Sequence, residues 1–370
     1  MLSFLEVLLA LSLGFILILL GRRLRPDLRP VWRNFELLLL FCLLADLALL
    51  AALPLLRLSF GRVDVSLFLI TSARLAIFMP ALFLLLRNPA KRQAVALLAA
   101  VVILQIGLFA GEVDGLYIEP FRLGVTDLPV QAPAFFPDRP LRILQISDLH
   151  IERITSRDRA VVAQAEALQP DIIVLTGDYV NQDFMNDPQA WAEARQVISQ
   201  LHAPYGVYAV NGTVDDPAHM EIVFSGLDNV RVLDDSYDIQ TLPGGKLALV
   251  GVTNTPDDAR DEQALRTLMA EVPPEAYTIL LYHTPDLIET ASSTGVDLYL
   301  AGHTHGGQIR LPFYGAIITF SKYGKKYEMG EYRVGTTTLY VSRGLGMEGL
   351  FMPRARFLCP PELVLAELAP

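Results

Sequence analysis

The first 110 residues contain four apolar runs, roughly Met1–Leu20, Phe35–Leu56, Ser66–Leu86 and Ala94–Gly111. Each has the length, about 17–25 residues, that an α-helix needs to cross the hydrocarbon core of a bilayer. Lipid offers no water to pair with backbone amides, so a spanning segment of this composition has to be helical. The chain is therefore expected to open with a four-helix transmembrane module over residues 1–111. The first run has no basic start and no small-residue cleavage site, and it leads straight into Gly21-Arg22-Arg23-Leu24-Arg25. It reads as a retained span, not a signal peptide.

Charge sorts along the chain in the same way. Residues 1–110 carry 11 Lys/Arg and 5 Asp/Glu, a net of +6, and the whole chain is at −10, so the remainder stands at −16. An acidic rear half argues against nucleic acid as a partner, since phosphate backbones call for cationic surfaces. It fits a water-facing domain attached to the membrane module. The first connecting loop holds Arg22, Arg23, Arg25, Arg29 and Arg33, the second only Arg57 and Arg62, and the third Arg87, Lys91 and Arg92. Basic loops stay cytoplasmic, which places the N-terminus and everything after Gly111 outside the cytoplasm: an integral, multi-pass protein with an extracytoplasmic domain. Asp46 and Arg74 fall near the middle of the second and third runs, where charge is costly unless paired. A buried pair locking two antiparallel helices is the expectation. The two cysteines, Cys42 and Cys359, supply neither a disulfide framework nor a thiolate zinc site.

Pro120, Pro129, Pro133, Pro137 and Pro140 punctuate residues 112–140, which read as a connector. A regular domain follows over 141–370, long enough for a substantial core. Strands are expected at Leu141–Ile146, Asp171–Leu175, Gly206–Val210, Leu247–Val252, Tyr277–Tyr282, Val296–Leu300 and Thr338–Val341. Helices are expected at Arg157–Leu168, Pro188–Leu201 and Asp261–Glu271. Strand and helix alternate, the pattern of an α/β domain.

The strand ends carry the chemistry. Asp148 and His150 follow Ile146, Asp178 follows Leu175, His283 follows Tyr282, and His303 and His305 follow Leu300. Ligands of α/β sheets gather at the carboxyl ends of strands, and the Asp-x-His and His-x-His spacings put both side chains on one face of an extended chain. Four strand ends agreeing in residue type point to a cluster of oxygen and nitrogen ligands for metal. His202 and His219 lie outside this pattern.

Taken together, Asp148-x-His150, Gly177-Asp178, Gly212-Thr213-Val214-Asp215, His283 and Gly302-His303-Thr304-His305-Gly306-Gly307 resemble the signature of the calcineurin-like metallophosphoesterases, in their membrane-associated branch. Ile146–His150, Gly206–Val210, Ser342-Arg343-Gly344-Leu345-Gly346 and Pro360-Pro361-Glu362 add to the likeness, which runs from Leu141 to about Leu368. The resemblance implies a four-layer αββα sandwich and two divalent ions. By matching position, Asp148, His150 and His305 would bind one ion, His283 and His303 the other, and Asp178 would bridge them. Such an ion pair clamps a phosphoryl group and activates water as hydroxide. The mixed carboxylate and imidazole ligation suits Mn, Fe, Zn or Ni.

The third segment departs from the family pattern, Gly-Asn-His-Asp. There the Asn ligates the second metal, and the His protonates the leaving group or stabilises the transition state. Here Thr213 stands for the Asn and Val214 for the His. Thr213 offers a hydroxyl on a shorter stem, Val214 has no proton to give, and Asn211 or His219 are the available substitutes. The expected function is a membrane-anchored, metal-dependent phosphoesterase acting on a phosphodiester, pyrophosphate or phosphomonoester, with a lipid-linked phosphate favoured by the bilayer. The alternative is a catalytically impaired, membrane-anchored binding module. The stretch Gly346–Met352 is apolar enough to dip towards lipid or to pack as a core segment.

Overall fold

Four helices form the front of the chain: α1 (Phe4–Leu24), α2 (Arg29–Leu55), α3 (Asp64–Leu86) and α4 (Lys91–Val113). These come from a computed structural model that describes residues 4–87, 89–349 and 352–370 of the chain. Met1–Ser3 of the first expected span and Leu350–Phe351 of the apolar stretch lie outside the described residues. The three helical segments Pro26–Leu55, Asp64–Leu86 and Lys91–Phe121 are long and apolar enough to cross a membrane. Their large apolar side chains point outward as well as inward. Trp32, Phe35 and Phe78 are buried, whereas Phe41, Leu44, Ile103 and Ile106 are exposed, the all-round pattern of helices that face lipid. The basic loops before α2 and before α4 meet at one end, where Arg25 Nη2 donates to the Pro89 carbonyl at 3.5 Å.

Inside this bundle Arg74 does pair with Asp46, through Nε at 2.6 Å and Nη2 at 2.5 Å. Two further partners come from α4: Arg74 Nη2 donates to Glu112 at 2.7 Å and Nη1 to Gln105 at 2.8 Å. The pair expected to lock two helices is thus a network tying three. Removing the one cation would leave two buried carboxylates uncompensated, a change that typically destabilises strongly.

The rest of the chain builds two six-stranded sheets. The first contains β1 (Gly124–Gln131), β2 (Leu141–Ile146), β3 (Ile172–Thr176), β4 (Val207–Val210) and β5 (Val230–Val232), with the last strand of the chain, Glu362–Ala369, inserted between β1 and β2. The second sheet contains β6 (Ser236–Leu242), β7 (Gly245–Gly251), β8 (Tyr277–Leu281) and β9 (Leu298–Ala301). A small ribbon of β10 (Arg310–Leu311) and β11 (Gly315–Ala316) follows, and then β12 (Gly330–Val334) and β13 (Thr337–Val341), which complete the second sheet; Glu362–Ala369 is β14. Strands β2 to β5 are parallel, as are β7, β8, β9 and β13, while β14, β6 and β12 each run antiparallel to a neighbour.

Alternation within the strands makes the layers. Ile143, Ile172, Val174, Leu249, Ile279 and Leu300 meet in a core between the sheets. On the outer face of the first sheet, Leu144, Ile146 and Ile173 pack against α5 (Ser156–Leu168), α6 (Pro188–Ile198) and α7 (Pro217–Phe224). Val250 and Leu280 on the second sheet pack against α8 (Asp258–Glu271) and α9 (Ile288–Thr294). The order of layers is αββα, a sandwich of mixed sheets.

Two differences from the sequence reading matter. The stretch 112–140 is not simply a connector: β1 lies within it and pairs in parallel with β14 over its whole length, from Gly124 opposite Glu362 to Gln131 opposite Ala369. Pro129 hid this strand, and proline is tolerated here because β1 is an edge. By internal contacts the chain divides into two units, Met1–Ile118 with Gly349–Arg354, and Glu119–Glu348 with Ala355–Pro370. The stretch Gly346–Met352 is therefore split. Met347 is buried in the second unit, where Asn181 Nδ2 donates to its carbonyl at 2.6 Å.

Candidate metal centre

The parallel strands β2, β3, β8 and β9 all end at one edge, and the ligand candidates sit in the turns just beyond them. Asp148, His150, Asp178, His303 and His305 all have left-handed backbones, with φ of 51°, 42°, 55°, 70° and 50°. Left-handed geometry costs a non-glycine residue roughly 1–3 kcal/mol and persists where the surroundings over-determine it, typically at functional sites. The turns are locked to one another. Asp148 N–H donates to the Gly177 carbonyl at 3.1 Å, His150 N–H to the Asp178 carbonyl at 3.0 Å, and Gly302 N–H to the His283 carbonyl at 2.7 Å.

The side chains converge in two groups. Asp148, His150 and His305 form one group whose ligand atoms lie within 4.8 Å of one another, and Asp178, His283 and His303 form a second. Asp178 Oδ2 is 3.1 Å from His283 Nε2 and 3.6 Å from His150 Nε2, so this carboxylate faces both groups. His150 Nε2 and His305 Nε2 stand 3.0 Å apart. The buried Nε2 of His283 faces Asp178 Oδ2 without the geometry of a hydrogen bond, and Nε2 of His150 faces His305 and Asp178. A buried polar atom left without a hydrogen bond is rare, and the His283 Nε2, with Nε2 of His150 and His305 and the carboxylates of Asp148 and Asp178 beside them, forms the donor set that a cation satisfies. His283 Nδ1 lies 2.7 Å from the Thr176 carbonyl, an outer contact that orients the ring with Nε2 inward.

The electrostatics agree. Burial alone would raise Asp178 above the usual carboxylate range, but His283, His150 and His303 pull it well below. Burial would lower His283, yet the facing carboxylates of Asp178 and Asp148 push it up to about 10. Burial, with His150 and Arg356 beside it, holds His305 well below the ordinary histidine value, so it stays neutral. The ion-free protein therefore carries a proton on His283 that an incoming cation must displace. Metal affinity is expected to rise with pH by about tenfold per unit through neutrality, levelling off near pH 10. Competition titration against a chelator measures this, and a pH-independent affinity would contradict it.

Glycines make the ligands fit. A Cβ on Gly302 would stand 2.0 Å from Ser147 Oγ and 2.3 Å from Asp148 Oδ2, and one on Gly212 would be 2.1 Å from Asp178 Oδ1. Gly302→Ala or Gly212→Ala must displace a ligand. We expect each to weaken metal binding by at least ~10–100-fold, the loss that follows when a ligand's support is removed, with the bound metal measured directly.

The altered third segment, just past β4, is also in place. Thr213 Oγ1 lies 3.2 and 3.3 Å from the two Asp178 oxygens, and Val214 N–H donates to Asp178 Oδ1 at 3.1 Å. Asp215 accepts from the amides of Asp178 (2.6 Å), Gly212 (2.8 Å) and Tyr179 (3.1 Å), pinning this turn to the one after β3. Burial, with Asp178 nearby, pushes Asp215 up to about 7. Val214 is buried and lines a cavity of about 440 Å³ together with Met185, Met220, Leu233 and Pro256. Both substitutes foreseen in the sequence are engaged with other partners. Asn211 spends its amide on Asn254, donating to its carbonyl at 2.9 Å and accepting from its N–H at 2.8 Å. His219 stacks on Trp191 at 4.1 Å between ring centroids, with Nδ1 3.1 Å from Asp216.

Two residues escaped the sequence reading. Glu348 forms a third possible ligand group with His150 and Asp178, its Oε2 3.7 Å from His150 Nε2. Buried Arg356 donates to His305 Nδ1 at 3.2 Å and to the carbonyls of Gly346 and Arg343. The one clue to Glu348 was its place two residues beyond Ser342–Gly346. Arg356 gave none.

Residues 141–307 match the family model of the calcineurin-like phosphoesterases. The chain is 33% identical over 261 residues to the metallophosphoesterase YkuE of Bacillus subtilis, an alignment covering 68% of this chain and 87% of that one. The chain belongs to the calcineurin-like metallophosphoesterases. This metallophosphoesterase is also 30% identical over 268 residues to the phosphodiesterase YaeI of Escherichia coli, covering 68% and 90% of the two chains. With the UDP-2,3-diacylglucosamine pyrophosphatase LpxG of Chlamydia trachomatis the identity is 28% over 305 residues, covering 67% and 90%. As a member of this family it is a hydrolase of phosphate esters.

Proposed function

We propose that this metallophosphoesterase is anchored in a membrane by its N-terminal helices and hydrolyses a lipid-linked phosphodiester, pyrophosphate or phosphomonoester outside the cytoplasm. The observation that carries the reading is the pair of buried ligand groups, Asp148–His150–His305 and Asp178–His283–His303, with Asp178 facing both. These residues would hold two divalent ions of the Mn, Fe, Zn or Ni type. When bound, such ions supply Lewis acidity and make water a nucleophile near neutral pH.

The protein's own groups do the rest. Asp178 neutralises both positions, and His283 has its ring fixed by the Thr176 carbonyl. The Val214 amide and the Thr213 hydroxyl hold the Asp178 carboxylate in place. Four apolar helices and the basic first and third loops support a multi-pass topology with the domain outside. A lipid-linked substrate draws support from that placement and from a relative that bears the name of a diacylglucosamine pyrophosphatase. Hydrolysis of an aryl phosphodiester by the full-length protein, lost on chelation and restored by one of these metals, tests the chemistry. Activity that chelation leaves untouched would refute it.

A further inference from the structure

The segment after His305 inverts the usual rule of burial. In the ribbon formed by β10 and β11 and the residues beyond it, Ala316 and Thr319 are buried, while Leu311, Phe313, Tyr314, Ile317, Ile318 and Phe320 are exposed. Phe313 is entirely open to solvent at 111% relative exposure. Six large apolar side chains within ten residues are exposed together, which soluble surfaces rarely leave uncovered without a function.

The presentation is built in. Phe313 and Phe320 both hold left-handed backbones, φ 65° and 55°, a genuine outlier for a bulky residue. The base of the ribbon is clamped. Arg310 donates to the Gly306 carbonyl at 2.7 Å and to Glu328 at 2.8 Å, and Glu328 accepts the Ala316 amide at 3.1 Å. Thr319 Oγ1 donates to the Gly324 carbonyl at 2.8 Å. Lys325 and Lys326 stand exposed just beyond the patch, with Lys325 over the Tyr314 ring at 3.5 Å from its centroid, whereas Lys322 pairs with Asp258 at 3.1 Å and Glu262 at 3.6 Å.

We propose that Leu311–Phe320 is a bilayer-docking ribbon, whose apolar tip enters the headgroup–acyl boundary while the lysines meet anionic headgroups. Aromatic and aliphatic residues flanked by lysine suit a lipid interface, where a ring finds apolar surroundings and a cation finds phosphate. The chain itself carries three helices apolar enough to span a bilayer. Because His303 and His305 lie directly before this ribbon in the chain, docking would hold the ligand-bearing turn at the lipid surface. This consequence rests on the proposed reading of the site as a membrane-anchored phosphoesterase.

The test uses the full-length protein in nanodiscs containing anionic lipid, with an environment-sensitive fluorophore on a single introduced cysteine; the native Cys42 and Cys359 are buried. Labels are placed at Phe313→Cys in the ribbon, Phe41→Cys on the exposed face of α2, and Thr241→Cys as a water-facing control. A blue-shifted label at 313, quenched by lipids brominated within about 5–10 Å of the headgroups, is the expected result. A label at 313 that behaves like the one at 241 overturns the proposal. Shielding that appears only with rising protein concentration, without bromine quenching, assigns the patch to a second copy and overturns it too. The label at 41 reports separately on anchoring, so failure of that reading is distinguishable. Phe313→Ser with Ile317→Ser should lower the ratio of lipid-borne to soluble ester turnover by about tenfold or more. An unchanged ratio counts against the ribbon.

Discussion

Asp178→Ala is expected to abolish phosphoesterase turnover and to strip metal from both ligand groups at once. No other candidate is placed so centrally. Its carboxylate faces His283 at 3.1 Å and His150 at 3.6 Å, and the Val214 amide and Thr213 hydroxyl are turned towards it. Loss of a residue that merely supports a ligand costs ~10–100-fold, so loss of a shared ligand should exceed ~100-fold in rate. His283 would also lose the first of the carboxylates that push its pKa up. Comparing kcat/KM and bound metal for Asp178→Ala and the unmodified protein checks both effects. A variant that keeps both would mean that the two groups do not share this carboxylate.

The second large effect concerns Val214. With no proton donor at that position, and with His219 stacked on Trp191 instead, the departing oxygen is expected to leave without general-acid help. Rates should then fall steeply as the leaving group becomes more basic, from phenol-like alcohols with pKa near ~10 to alkyl alcohols. Thr213→Asn with Val214→His should flatten that dependence. A positioned acid is worth ~10²–10⁴ in rate, and the gain should fall on alkyl esters far more than on aryl ones. The cavity of about 440 Å³ beside Val214 gives the imidazole room. Val214→Ala controls for volume alone. A series of esters differing only in the leaving alcohol reads the slope directly, and equal slopes for all three proteins would show that Val214 is not the limiting departure.

What the sequence made legible follows from physics that acts locally. The four helical runs at the front, the alternation of strand and helix and the six ligand candidates depend on apolar periodicity and on residues placed one or two positions past a strand, whereas the αββα layering was implied by the family resemblance alone. Strands with broken local signals were missed. Pro129 disguised β1, and β14, Glu-Leu-Val-Leu-Ala-Glu-Leu-Ala, mixes good helix formers with its alternation. Each pairs with a segment more than 200 residues away, and no window of sequence contains that information. The same holds at the site. Glu348 and Arg356 reach His150 and His305 only because the loop after β13 folds back over them. Arg74 announced a partner in Asp46, but Glu112 sat near the end of its apolar run and gave no sign of joining them.

The central claim is that two cations sit in the paired ligand groups. Metal analysis of the full-length protein, purified without chelator, tests it most directly. The account predicts two equivalents of a transition metal per chain, lost together in Asp178→Ala. A chain that binds no transition metal at neutral pH, yet still hydrolyses phosphate esters, would contradict it.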